Sequence, residues 1–393
     1  MNRTKRVECF PADGVADDGV VVANFVHPQR GPVRSAAAPV LLGALGRRGR
    51  TARTGTVRVA DGDGVLFAAT YLDRDGHAVG FGVAANRSDA AGVTAAREVV
   101  DEWQAVLRTR RVVVAATDPL CAGGHRAAAM LETALQQRSD VYVVGRPVLN
   151  RHAEAEFRRD GLTTVDDLDD VPESATVVFP AHGVSLVTRA EAGARGLRVV
   201  DATCPLVAAG HEDVRRFAGR GDTVVVLGPR DHAAGSTFVA QAPDEATFDL
   251  AGVADPDRVS FVVQPGAPVE DAVSLLAALR ARYPRLRGQH PDRWCYAASD
   301  RAAEIRAAAA ESDVTIIAGT CEGTEGAHPI EDVGELRAEW LTHAATVALV
   351  AGVSAPPGLV SALTDALSGL GPLSTVRRTV TTEVAAAVTP VPV

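Results

Sequence analysis

The sequence has 393 residues and lacks three features that mark broad classes of protein. Its formal net charge is −9, which argues against a partner with a phosphate backbone, since proteins that bind one usually carry a basic surface. No stretch approaches the roughly 18 uninterrupted apolar residues of a membrane-spanning helix. Residues 1–10 contain neither the apolar segment nor the small-residue cleavage site of a signal peptide. We therefore expect a cytoplasmic protein without a nucleic-acid or membrane partner.

Cysteine is scarce and its count is odd, with residues at positions 9, 121, 204, 295 and 321. Disulfide frameworks are typical of small secreted domains, and this chain is neither small nor marked for export. The few cysteines therefore favour metal binding or thiol chemistry. Hydrophobic residues make up 47% of the chain, which is ample material for a core, and the length predicts two or three domains.

Residues 1–110 have the pattern of a small α+β domain. Short strand-like runs at 56–59, 65–71 and 78–84 are separated by Asp-Gly turns, which are typical of hairpins. The spacing of apolar residues predicts a helix from about Ala90 to Arg108. No motif in this segment carries chemistry. Covering a pocket, recruiting a partner and holding a dimer together are all left open as its role.

From residue 111 to the end at 393 the pattern changes, and we predict a second domain there. Short β-branched runs alternate with alanine-rich helical stretches, which predicts an α/β fold with parallel sheets covered by helices. The runs lie at 111–116, 141–144, 176–179, 198–200, 223–227, 259–263, 314–318 and 345–350.

Three cysteines recur at similar intervals in this region. Cys121 and Cys204 are 83 residues apart, and Cys204 and Cys295 are 91 apart. Each follows a strand-like segment and precedes a helical one, so we predict three similar α/β units that place one thiol each at the carboxyl end of a sheet. Spacing alone does not separate a metal site from buried structural cysteines, because no Cys-x-x-Cys pair is present.

The residues around these cysteines are more specific than their spacing. The blocks are CAGGHRA (121–127), AHGVS (181–185), DATCPLV (201–207), CYA (295–297) and AGVSAP (351–356). In this order they resemble the signature blocks of the LytB family of 4-hydroxy-3-methylbut-2-enyl diphosphate reductases. The resemblance covers residues 111–393, and the second and third blocks are its most specific parts.

The resemblance implies a fold, a cofactor and a reaction. Three similar lobes would surround a [4Fe–4S] cluster held by Cys121, Cys204 and Cys295, with one iron lacking a protein ligand. The family reduces an allylic alcohol diphosphate with two electrons and two protons and releases water. Ferredoxin or flavodoxin is the expected external electron donor.

The resemblance also implies residues around the substrate. His182 and His232 would line the pocket as catalytic and substrate-binding residues. Asn150, Thr324 and Ser354 would contact the substrate.

Several positions depart from the family pattern. Ala234 stands where the family has a proton-relaying glutamate, and alanine cannot transfer a proton. Gly266 replaces a threonine, and Glu325 falls in the block that grips the diphosphate. A carboxylate facing a diphosphate is repelled, although Glu325 is also a candidate for the missing proton relay, which makes it a predicted catalytic residue. We therefore expect the reductive removal of a hydroxyl or similar leaving group from an altered substrate.

Three alternatives stay open from the sequence. The protein could be an authentic isoprenoid-pathway reductase, a cluster protein that only transfers electrons or has lost turnover, or a zinc protein using the same thiols. Cys321 belongs to the loop near the predicted pocket. It could approach the open iron, donate a proton or take no part.

Overall fold

The computed structural model describes residues 7–15, 19–73, 75–115, 118, 120–148, 150–320 and 326–382. The chain divides into two compact units. The first comprises Met1–Thr117 with Ile305–Arg378, and the second comprises Asp118–Glu304 with Thr379–Val393. Within the described residues, each helix is too short or too polar to cross a bilayer.

The strands and helices of the described residues are numbered in chain order. The strands are β1 Glu8–Asp13, β2 Val20–His27, β3 Gly31–Val33, β4 Ala52–Thr56, β5 Arg58–Val59, β6 Gly64–Leu72, β7 Ala78–Asn86, β8 Arg110–Ala115, β9 Val141–Val144, β10 Thr163–Val165, β11 Thr176–Phe179, β12 Arg198–Asp201, β13 Thr223–Leu227, β14 Ala246–Thr247, β15 Val259–Val263, β16 Arg287–Gly288, β17 Val314–Ala318, β18 His328–Ile330, β19 Thr346–Ala351 and β20 Leu373–Arg378. The helices are α1 Ala38–Arg47, α2 Ala90–Ala105, α3 Ala122–Gln137, α4 Arg151–Arg159, α5 Leu186–Ala194, α6 Pro205–Ala218, α7 Ala233–Val239, α8 Val269–Arg282, α9 Ala297–Ala310, α10 Ala338–Leu341 and α11 Leu359–Ser368.

A seven-stranded, mostly antiparallel sheet begins the first unit. Its order is β3-β2-β7-β6-β1-β5, and β4 pairs in parallel with β2. The predicted hairpin is confirmed as β6 and β7, and the Asp73 carboxylate accepts the backbone N–H groups of Asp75 and His77 in its turn. Helix α2 begins after Asp89, whose side chain caps it by accepting the N–H of Gly92.

The same unit contains a five-stranded parallel sheet in the order β18-β17-β19-β8-β20. Strand β8 lies between two strands from the C-terminal part of the chain, and its Arg111 pairs with Thr346. The buried Arg110 guanidinium donates to the carbonyls of Leu341 and Leu370 at 3.2 and 3.3 Å. These contacts join the two parts of the chain within one unit.

Residues 1–110 do not form a compact unit of their own, and this differs from the predicted domain boundary at residue 110. One hydrophobic core contains residues of α1 and α2 together with residues of β17, β19 and α11. The apolar face of α2 therefore packs into a core that C-terminal strands share. The change of sequence pattern at residue 111 is real, but packing continues across it.

The second unit contains two four-stranded sheets, in the orders β10-β9-β11-β12 and β14-β13-β15-β16. All pairings in both sheets are parallel. Every residue of β11 and β15 is buried, as expected for strands covered on both faces. The α/β class predicted for this region is therefore confirmed.

Candidate functional site

Each of the three cysteines predicted to act together precedes an α-helix. Cys121 is the N-cap of α3, Cys204 is the N-cap of α6, and Cys295 lies two residues before α9. The N-terminus of a helix presents unpaired N–H groups and the positive end of the helix dipole, which favour a thiolate. The predicted position of each cysteine before a helix is confirmed.

The sulfurs of Cys121 and Cys204 border the same glycine. A Cβ on Gly123 would lie 2.6 Å from the Cys204 sulfur and 3.9 Å from the Cys121 sulfur. The N–H of Gly124 donates to the Cys121 sulfur at 3.4 Å. Gly123 therefore keeps open a space between two thiols that any side chain would fill.

The thiol of Cys295 belongs to the same group. Burial raises its pKa, while N–H groups of Ala297 and Gly266 lower it, and electrostatic interaction with Cys121 and Cys204 raises it again. The three sulfurs are therefore close enough to interact, although the residues are far apart in sequence. A bound cation reverses the mutual repulsion of such thiolates.

These residues fit an iron–sulfur cluster as a donor set. Soft thiolate ligands select zinc, copper(I) or iron–sulfur groups over magnesium or calcium. The four described cysteines, Cys9, Cys121, Cys204 and Cys295, are all free thiols. Two of them border Gly123, the thiol of Cys295 interacts electrostatically with both, and backbone N–H groups approach the sulfurs of Cys121 and Cys295, which suits thiolate ligands of a cluster.

His182 lies on the turn that supports Cys204, because the Cys204 N–H donates to the Ala181 carbonyl at 2.9 Å. Its Nε2–H donates to the Arg146 carbonyl at 3.1 Å. Burial lowers the pKa of His182, and Nδ1 is buried with no hydrogen-bond partner among the described residues. The neutral His182 ring can therefore accept a hydrogen bond at Nδ1. It can donate one there only after Nδ1 is protonated, and the predicted contact with a phosphate oxygen requires that donation.

His232 has the opposite arrangement. It caps α7, and its Nδ1 accepts the N–H of Ala234 at 3.2 Å, so the neutral ring carries its proton on Nε2. Burial lowers its pKa, and His232 in turn lowers the pKa of His182, which brings the two imidazoles into one electrostatic environment. His232 therefore offers a donor where His182 offers an acceptor.

Gly266 makes room for His232. Its φ is +93°, and a Cβ at this position would lie 2.8 Å from Nε2 of His232. Its N–H also points at the Cys295 thiol. Gly266, which stands where the family has a threonine hydroxyl, is therefore required by the local packing.

A second-layer network supports the His182 turn, and sequence reasoning did not identify it. His211 is 2% exposed, and its Nε2–H donates to Thr237 Oγ1 at 3.1 Å. Thr237 Oγ1 lies 2.8 Å from the carbonyls of both His182 and Ala234, between which its one proton is shared. Gly183 has a φ of +77°, and a Cβ there would lie 2.7 Å from His211 Cε1. One available signal was the seven-residue spacing from Cys204, which returns to the same helix face.

We expect His211 to make the apoprotein less stable in acid. Burial lowers its pKa from 6.5 to about 3, so the unfolded chain binds a proton below pH 6.5 while the folded chain resists it. The neutral His211 ring therefore stabilises the fold fully above the unfolded pKa, and this stabilisation is lost as the pH drops below it. Between about pH 7.5 and pH 5 the loss is about 2 kcal/mol. Urea unfolding at both pH values should show that the free energy of unfolding depends less on pH in His211→Gln than in the parent protein. The exposed His343→Gln is the control, and equal slopes in all three proteins would contradict the expectation.

Ser354 lies in the first unit. Its Oγ accepts the N–H of Thr320 at 2.8 Å and lies 2.8 Å from Thr320 Oγ1. Thr324, Glu325 and Cys321 lie outside the described residues, so their predicted positions near a pocket stay predictions.

Asn150 is 2% exposed and caps α4. Its Oδ1 accepts the N–H groups of His152 and Ala153 at 3.0 Å each. The side-chain oxygen is therefore engaged in the helix cap. A contact with substrate through Asn150 stays a prediction.

Known proteins match the part of the chain that contains this site. A family model described as LytB protein matches residues 112–368. The 4-hydroxy-3-methylbut-2-enyl diphosphate reductase 2 of Mycobacterium bovis is 36% identical over 301 residues, which cover 69% of this chain and 90% of that protein. The reductase of Leifsonia xyli subsp. xyli is 36% identical over 287 residues, which cover 67% of this chain and 84% of that protein.

Two solved structures share the fold. The E-1-hydroxy-2-methyl-but-2-enyl-4-diphosphate reductase of Plasmodium falciparum has a TM-score of 0.60 at 21% identity, covering 69% of this chain and 92% of that one. A structure of (E)-4-hydroxy-3-methyl-but-2-enyl diphosphate reductase has a TM-score of 0.53 at 22% identity, covering 66% of this chain and 99% of that one.

Proposed function

Because the chain belongs to the LytB family, we propose that it is an iron–sulfur oxidoreductase that removes a hydroxyl or similar leaving group by reduction. The relatives bear the name of a diphosphate reductase, which supports the reductase class. The single observation that carries the proposal is that the thiols of Cys121 and Cys204 border Gly123 and both interact electrostatically with the thiol of Cys295.

Cys121, Cys204 and Cys295 would hold a [4Fe–4S] cluster with one iron lacking a protein ligand. When bound, this cluster supplies electrons and a Lewis-acidic iron for a substrate hydroxyl. The arrangement of three similar lobes around it, one for each parallel sheet, is part of the same proposal. The balanced reaction takes an alcohol, two electrons and two protons to the deoxygenated product and one water. An external one-electron carrier, a ferredoxin or flavodoxin, would supply the electrons.

The chain's own residues would bind and orient the substrate. His232 would donate a hydrogen bond from Nε2, because Nδ1 is held by the α7 cap. His182 would accept at Nδ1, or donate there once protonated. The two imidazoles thus suit a substrate that both accepts and donates hydrogen bonds, such as a hydroxyl. Asn150, Thr324, Ser354 and Glu325 are further proposed contacts.

We propose that the substrate is less anionic than an alcohol diphosphate. The side chain at Ala234 is a buried methyl group, 2% exposed, so this position has no proton to give. The Gly266 position does not accommodate a side chain beside His232. Two positions that carry polar side chains in the family therefore carry none here, and Glu325 would add a negative charge.

The test is an anaerobic assay of the reconstituted protein with a chemical reductant. The substrates are 4-hydroxy-3-methylbut-2-enyl diphosphate and the same alcohol without phosphates, and the Leifsonia xyli reductase is the reference. Losing a proton relay and a hydroxyl donor predicts turnover of the diphosphate roughly a hundredfold or more below the reference. Turnover equal to the reference would overturn the altered substrate and leave an authentic isoprenoid-pathway reductase.

Two further outcomes would overturn the enzyme itself. A reducible cluster with no turnover of either alcohol would favour an electron-transfer protein. A colourless protein that contains zinc would favour the zinc alternative, because zinc has no visible absorption.

A further inference from the structure

Three arginines link the three cysteine-bearing segments to one another. We propose that these links hold the thiols near the spacing that the cluster requires before the cluster is bound. The inference rests on the proposed function, since it concerns assembly of the same cluster. Each link is a hydrogen bond from a guanidinium to a main-chain carbonyl, so neither the acceptor nor the link is visible in the sequence.

The first link joins the Cys121 helix to the Cys204 turn. Arg126 lies on α3, five residues after Cys121, and its Nη1 donates to the Thr203 carbonyl at 3.1 Å. Thr203 immediately precedes Cys204, and its Oγ1 accepts a hydrogen bond from Arg189 at 2.9 Å. The turn is thus held on two sides.

The second link joins the Cys295 segment to the Cys204 helix. Arg293 lies two residues before Cys295, and its Nη2 donates to the Ala209 carbonyl of α6 at 3.1 Å. Its Nε lies 3.0 Å from Oδ2 of Asp213, a carboxylate of the same helix that is 1% exposed. Asp213 also pairs with Arg216 at 2.6 Å and accepts from Gln289 at 3.2 Å, so Arg293 approaches a carboxylate that is already fixed in position.

The third link joins the Cys295 helix to the segment before Cys121, so that the links of Arg126, Arg293 and Arg301 form a closed ring. Arg301 lies on α9, six residues after Cys295, and its Nη2 donates to the carbonyl of Asp118. Asp118 lies three residues before Cys121, and its Oδ1 accepts the N–H of Leu120 at 2.9 Å.

The ring connects each cysteine segment with both of the others. Three thiolates held in one group repel one another. Apoprotein segments without cross-links would move apart, and assembly would have to order them again. The three hydrogen bonds from guanidinium groups to main-chain carbonyls oppose that separation. The positioning is therefore a property of the polypeptide and does not depend on the cluster.

The experiment compares Arg126→Gln, Arg293→Gln and Arg301→Gln with the full-length parent protein. Anaerobic cluster assembly is followed by visible absorption after addition of iron(II) and sulfide. In the apoprotein, a bimane reagent that fluoresces only after joining two thiols is used, and the Cys121–Cys204 cross-link is quantified by peptide mapping. Loss of one hydrogen bond from a charged donor predicts assembly about fivefold to tenfold slower and a correspondingly smaller cross-linked fraction.

Matched variants separate positioning from general stability. Arg159→Gln, on the exposed side of α4, is expected to behave as the parent. Arg126→Lys should restore assembly relative to Arg126→Gln, because a lysine supplies the one donor that the Thr203 carbonyl accepts. Arg293→Lys should restore little, since that arginine serves a carbonyl and a carboxylate at once. Urea unfolding of each apoprotein measures any general loss of stability.

The outcomes are distinct. If the parent protein assembles a cluster and all three glutamine variants assemble it equally fast, the proposed role of the ring is overturned and the proposed function is unaffected. Slow assembly that scales with the loss of stability, including in Arg159→Gln, also overturns it. A parent protein that assembles no cluster overturns the proposed function itself. Slow assembly and reduced cross-linking confined to the three variants support the ring.

Discussion

Replacing Cys204 by alanine is expected to remove nearly all cluster absorption and iron from the reconstituted protein. The sulfur of Cys204 borders Gly123, and its N–H supports the turn that carries His182. Changes to the residues that hold a metal's ligands in place already cost about tenfold to a hundredfold in affinity or activity. Loss of a ligand should therefore lower turnover by at least about a hundredfold.

Iron and sulfide content, visible absorption and turnover measure this effect. Cys9→Ala is the matched control, because Cys9 is an exposed free thiol of β1 in the other unit. Alanine keeps the backbone N–H that reaches the Ala181 carbonyl, so the fold should survive the change. Full iron content in Cys204→Ala, or equal losses in both variants, would refute the ligand set.

The second large effect is expected from one methyl group at Gly123. Its Cβ would lie 2.6 Å from the Cys204 sulfur and 3.1 Å from the Cys204 Cβ, closer than atoms pack. Overpacking of this kind costs about 1–3 kcal/mol, which corresponds to roughly a fivefold to hundredfold weaker retention of the cluster. Gly123→Ala should therefore fold and yet lose cluster rapidly.

Gly124→Ala supplies an unusually close control. It changes the neighbouring residue of the same helix, and its Cβ would meet Leu120 at 3.4 Å and the Cys121 sulfur at 3.8 Å, which are ordinary contacts. Both changes remove a glycine from α3, so both gain about 1 kcal/mol of helix propensity. The measurement is the decay of cluster absorption under a chelator. Equal decay in the two variants would show that the space beside Gly123 has no role.

Much of the fold was predictable because buried parallel strands leave a direct record in sequence. The runs at 141–144, 176–179, 223–227, 259–263 and 314–318 coincide with observed strands. Edge strands such as β14 and β16 have only two residues each, too few for any periodicity to mark them. The unit boundary was not predictable, because β8 pairs with strands more than 200 residues later.

The chemistry of the site divides in the same way. Side-chain identity predicted Cys121, Cys204 and Cys295 as the proposed ligands, since thiolates are the usual ligands of such clusters. The proton positions on His182 and His232 follow instead from which ring nitrogen a carbonyl or N–H contacts. Those partners are backbone groups, and every residue except proline presents the same ones.

By itself, the sequence determined the α/β class of residues 111–393, the family and the three cysteines. These depend on side-chain type and order along the chain. Tertiary structure decided that Gly123 and Gly266 leave room for neighbouring side chains. It also decided that His211 supports the His182 turn, and that arginines link the cysteine-bearing segments in a ring. The physical reason is that close approach and main-chain hydrogen bonding depend on where the backbone runs, and residue type does not encode that locally.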